Sequence, residues 1–220
     1  MAEQLSNDNV RQTAQESVAS GEHIRERIRE LTLQALQERK FNFAQFQDVM
    51  RAMTEGISLG AQQRGHDVKA ALSEAFAGMD QALTKAAQAG SLAMRELSSR
   101  SKQFTENDLK LTLEQLQRLE RDFLDSVREM SQTTTGAVRT EWQDLLAHAQ
   151  RAGTDTGAVI ASTMRDFGGR MATTMADTTT ATLEAALQFG ERFAHAASGF
   201  LAGMSEALRP EEKKGEKKGE

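Results

Sequence analysis

One proline, Pro210, stands in a chain of 220 residues. An average composition of about 5% would supply roughly 11. Proline is the residue that a helix interior tolerates least, because it lacks an N–H and its ring strikes the preceding turn. Residues 1–209 therefore carry no such veto on helix. Only 7 Val and 4 Ile are present, against 32 Ala and 21 Leu. Strands are built from β-branched and aromatic residues, so an all-β fold is excluded and a parallel-sheet α/β fold is disfavoured. An all-α chain is expected.

Leu, Ile, Val and Phe together make up 42 residues. That fraction lies near the level where disorder begins, but a net charge of −5 is too small to drive it. Abundant Ala, ten Met and 16 Gly restore the apolar content. Such a composition predicts helices with narrow, small-residue stripes that leave apolar edge exposed on a single copy. Self-association, or adsorption to an apolar surface, is the expected remedy.

The stripes can be followed along the chain. Ile24, Ile28, Leu31 and Ala35 are spaced 4, 3, 4, a heptad seam on a first helix expected from about residue 8 to Glu38. Phe43, Phe46, Met50, Met53, Ile57 and Gly60 resume it. Val68, Leu72, Ala75, Met79, Ala82 or Leu83, Ala86, Gly90, Ala93 and Leu97 follow, either across Gly65 or after a break there. Leu109, Leu113, Leu116, Leu119, Phe123, Val127 and Met130 form the strongest stripe, after a capping-box-like Thr105-Glu106-Asn107-Asp108. Val138, Trp142, Leu145 and Ala149 come next.

The expected organisation is an elongated antiparallel helical bundle with coiled-coil-like hairpins and three to five long helices. A disordered start over 1–7 precedes a single elongated domain over 8–208. Breaks are expected near 39–42, 65, 98–105, 133–136 and 153–157. The charged tail, 209–220, should be disordered.

Sites for chemistry are sparse. Asp144 with His148, and Glu191 with His195, are i, i+4 pairs that could each supply two metal ligands from one helix face. A carboxylate-bridged dimetal bundle uses Glu-x-x-His spacing instead, which the chain lacks, so solvated ion pairs are the simpler reading and no cofactor is expected. Cys is absent, no phosphate-binding loop is present, and no Ser-His-Asp pattern is visible. Gly56-Ile57-Ser58-Leu59-Gly60 reads as a tight packing point between soluble helices, given its charged flanks.

Met and Phe at helical spacing usually fill gaps between helices. The alternative is an adaptable outward face, best placed at Phe189, Phe193, Phe200, Leu201 and Met204, interleaved with Gly190, Gly199 and Gly203. The acidic balance argues against nucleic acid as a partner. No run approaches 18 apolar residues, so no transmembrane segment is expected. The start, MAEQLSNDNV, lacks a basic region followed by an apolar stretch, which makes a cytoplasmic location the default.

The Ala-, Gln- and Thr-rich amphipathic helices, the scarcity of Pro and Cys, and the Lys-containing tail resemble phasins, helical proteins that coat bacterial polyhydroxyalkanoate granules. The short alternating tail differs from the long basic tails of some phasins. The stretches IRELTLQAL (28–36), MTEGISLGA (53–61) and FTENDLKLTLEQLQRLERDFL (104–124) also resemble a bacterial helical family with no assigned activity. The first resemblance implies a non-catalytic granule coat that self-associates. A soluble scaffold docking one helical protein partner is the alternative, and a metal-binding bundle a remote one.

Overall fold

The computed structural model describes residues 6–38, 43–100, 106–173 and 195–202. It is all-α. Seven helices occur in the first three stretches: α1 (Asn7–Ser20), α2 (Ile24–Glu38), α3 (Phe43–Gln62), α4 (Val68–Arg100), α5 (Glu106–Thr133), α6 (Gly136–Ala152) and α7 (Asp155–Thr173). Residues 195–202 are also helical. None of the described helices is long and apolar enough to cross a membrane.

Glycine sets most of the described breaks. Gly21, Gly65, Gly136 and Gly153 all have positive φ, the left-handed region that a side chain disfavours. The helix expected to run unbroken to Glu38 is therefore two. Ser6 caps α1 by accepting from the Asn9 amide at 3.1 Å, and Gly21, at φ 75°, ends it by donating to the Val18 carbonyl. A 3₁₀ turn over Gly65–Asp67 likewise separates α3 from α4. The described residues thus form seven helices rather than the expected three to five, of which α4 (33 residues) and α5 (28 residues) are long. The expected breaks at 39–42 and within 101–105, and both chain ends, lie outside the described residues.

Side-chain contacts give the helix directions. Arg11 pairs with Glu55 at 3.4 Å, and Gly21 lies against the Arg64 guanidinium. Residue numbers rise together, so α1 and α3 are parallel. Arg25 grips Glu74 through two bonds of 2.8 and 2.9 Å, which aligns α2 with the first half of α4. Only five Cα steps, at most about 19 Å, join Glu38 to Phe43. Two collinear helices of 14 and 15 residues would instead need a return of roughly 43 Å. The first pair must fold back on itself. The α1/α2 hairpin thus stacks on the α3/α4 hairpin in the same sense.

On the other side, α5 runs antiparallel to α6 and α7 together: Thr154 meets Glu120, and Met164 meets Gln117. The rings of Phe76 and Phe123 lie 4.8 Å apart and join α4 to α5. Trp142 of α6 is fully buried and donates its indole N–H to the Ser58 hydroxyl of α3 at 2.9 Å.

The α3/α4 hairpin is the centre, and α4 is enclosed by α2, α3, α5, α6 and α7. No residue from Ala71 to Ser91 is exposed. A helix with neighbours on every side needs small residues on every side, and α4 contains nine alanines. Glycine allows still closer approach. A Cβ on Gly56 would overlap the Arg11 carbonyl oxygen, and one on Gly60 or Gly78 would sit 2.5 Å from the carbonyl oxygen of Gln15 or Arg25.

The expected stripes form one core, in which Ile28, Met50, Met53, Ile57, Leu72, Met79, Leu83, Leu116, Leu119 and Phe123 are fully buried. A single chain thus closes far more of its apolar surface than the composition suggested. Its large exposed apolar side chains, among the described residues, are Leu59, Leu92, Leu111, Met164 and Phe200. Close backbone approach at small residues is the reason.

The glycine seats make a signed prediction. Gly→Ala inside an exposed helix gains up to about 1 kcal/mol from lower chain entropy. At Gly60 overpacking dominates, so Gly60→Ala should cost about 1–3 kcal/mol in urea unfolding followed by Trp142 fluorescence. Gly199→Ala, where an added Cβ meets nothing within 4 Å, should leave stability unchanged or slightly raised.

Candidate functional site

The densest convergence of sequence-distant polar groups lies where α7 meets α4 and α5. Its centre is Asp80, only 8% exposed on the otherwise small-residue surface of α4. The first N–H groups of any helix lack intrahelical partners, and burial makes that costly. In α7 they are all met. Asp80 Oδ2 accepts from the Asp155 amide at 3.0 Å, and Oδ1 accepts from the Thr156 amide at 3.1 Å. Thr154 Oγ1 accepts from the Gly157 amide at 2.9 Å, the role of a local N-cap.

The hydroxyls extend the network. Thr156 Oγ1 lies 2.6 Å from Asp80 Oδ1 and 3.2 Å from Thr84 Oγ1. Thr154 Oγ1 donates to Glu120 Oε1 at 2.6 Å. A carboxylate at a helix N-terminus is also favoured by the positive end of the helix dipole. Chemically, Asp80 holds a helix start: both of its oxygens are engaged by α7. The sequence marks 153–157 as a turn but gives no hint that its cap comes from residue 80. The available signal was a lone Asp within an Ala-rich helix.

The residues singled out for metal do not converge. Asp144 and His148 are exposed on α6, His195 is exposed at the start of the 195–202 helix, and Glu191 lies outside the described residues. Among the described residues, no group of three or more His, Cys, Asp or Glu is placed to hold a metal ion. His23 and His66 are exposed in turns.

The proposed apolar face divides. Phe189, Phe193 and Met204 lie outside the described residues. Phe200 is 36% exposed, whereas Leu201 is fully buried with Ala197. Leu201 is thus not available outwardly as expected. Adjacent helical residues point about 100° apart, so it faces the core while Phe200 lies at the edge of the buried face, partly in water.

On α5, partial burial is the main cause that raises the Asp122 carboxyl above its ordinary range; the charge of Asp125 adds to it, while Arg118 and Arg121 oppose it. A folded pKa above the unfolded value means that the ionised carboxylate weakens folding at neutral pH. That penalty fades as pH falls through the carboxylate range and both states become protonated. Asp122→Asn should therefore raise the urea midpoint at pH 7, and the gain should vanish near pH 3. A gain that grows on acidification would contradict this assignment.

Residues 1–210 match the model of a family described as a family of unknown function, DUF6781. No curated protein and no solved structure matches the chain.

Proposed function

The chain belongs to the DUF6781 family, and we propose that it is a non-catalytic interaction protein that self-associates through an apolar patch on the helix over 195–202. The carrying observation is the two-sided character of residues 195–202. Ala197 and Leu201 are buried, while neighbouring Phe200 is exposed beside Gly199, where the surface is open. An aromatic ring one-third exposed at the edge of an anchored face is suited to extending that face to a second apolar surface. In the sequence, Phe193 precedes Phe200 by seven residues and Met204 follows by four, the spacing of one helical stripe.

A granule coat of the phasin kind, in the cytoplasm, is one form of this reading. There the same stripe would adsorb to polymer. The stacked hairpins favour a second reading, since successive αα-hairpins in the same sense are how helical-repeat scaffolds build partner-binding faces. In that form the chain docks one helical partner.

Phe200→Glu separates these interactions from folding, because its side chain is already partly in water. Wild type should show mass rising with concentration in light scattering and retention on hydrophobic beads. Phe200→Glu should reduce both and melt at an unchanged temperature. A wild type that stays monomeric and passes the beads would overturn self-association and the granule form. Capture of a single stoichiometric partner by that same monomer would then support the scaffold reading.

A further inference from the structure

The network at Asp80 also gives α7 a mechanical character unlike that of the other helices. Its inward face carries Thr156, Val159, Ile160, Thr163 and Phe167, two hydroxyls among three apolar side chains, and Ala158, Ala161, Ser162, Met164, Arg165 and Asp166 are exposed. The facing α4 stripe continues from Asp80 and Thr84, by helical spacing, through Ala87, Ser91 and Arg95. Arg95 binds Asp166 at 2.5 Å, and the Gln117 amide reaches Met164 Sδ at 2.9 Å. By contrast, α5 turns inward Leu109, Leu113, Leu116, Leu119, Phe123 and Val127.

Such an interface opens at lower cost than the α5 seam, since Ile160 and Phe167 are its only deeply buried apolar side chains among the described residues. Hydrogen bonds and exposed ion pairs are replaced by water with small net loss, whereas buried apolar area is not. A pivot is present as well: Gly153 has φ 82° and ψ 174°, lies in open space, and leaves only Thr154 between α6 and α7. When α7 swings away, Thr154 can retain its own bond to the Gly157 amide, so the helix keeps a local cap while the Asp80 contacts are lost.

We propose that α7 is a detachable strap, hinged at Gly153, which Asp80 and Thr156 hold shut against α4 and α5 and which opens while α1–α6 stay packed. Opening bares the polar stripe of α4. The strap is a conformational device of the fold and stands whether or not Phe200 mediates self-association.

Hydrogen exchange of the full-length protein, resolved by peptide in increasing urea, tests it. Amides of 158–167 should exchange at least ~100-fold faster than those of 71–94, through an opening with a clearly smaller urea dependence than that of α4. Thr156→Val keeps the side-chain shape but removes the hydroxyl. It should speed α7 exchange by about tenfold and leave the exchange of α4 unchanged. Equal protection and equal urea dependence in α4 and α7 would overturn the strap. So would a Thr156→Val protein in which α7 exchange is unaltered, or in which α4 and α7 lose protection alike.

Discussion

How closely two backbones can approach decides what this chain can build. Large side chains hold helix axes 8–10 Å apart, with little freedom to add neighbours. Here Gly56, Gly60 and Gly78 let α3 and α4 press against the carbonyl groups of α1 and α2, and the alanines of α4 admit further helices around it. The same small residues that looked like a shortage of core material are what allow one helix to be enclosed. Burial is gained by adding neighbours to α4 rather than by enlarging side chains.

Enclosing α4 in a short chain requires frequent reversals, and this is where the glycines with positive φ act. The chain is cut at Gly21, Gly65, Gly136 and Gly153, and the shorter pieces on either side fold back against the long α4 and α5. Polar groups are then needed where helix starts become buried. Ser58 satisfies the Trp142 indole, and Asp80 satisfies the start of α7. Burial of an uncompensated N–H would cost about 1–3 kcal/mol, so these contacts fix which helix can occupy each place.

The buried faces were legible because helical periodicity is a local property. Ile24, Ile28, Leu31 and Ala35 are inward as their spacing requires, and so are all seven residues of the Leu109–Met130 stripe. The break at Gly21 was missed because the apolar pattern is weak between Val18 and Ile24 and supplies no change of phase to reveal a stop. The parallel stacking of hairpins depends on contacts between residues some 45 positions apart, and a single sequence contains no trace of such pairing. For the same reason Asp80 and Thr156, 76 positions apart, could not be joined. Phe200 and Leu201 were assigned to one face because apolar character, without the identity of the packing partner, does not distinguish an inward stripe from an outward one.

The parallel seating of α1 on α3 underlies this account, and spin-label distances in the cysteine-free chain test it directly. With labels at the exposed positions Ser20, Gln63 and Gln45, the Ser20–Gln63 pair should be the near one, at about the spacing of adjacent helices. The Ser20–Gln45 pair should lie a further ~27 Å away along the helix axis. The opposite order, with Ser20 nearer to Gln45, would mean that α1 runs antiparallel to α3 and would contradict the stacked-hairpin architecture.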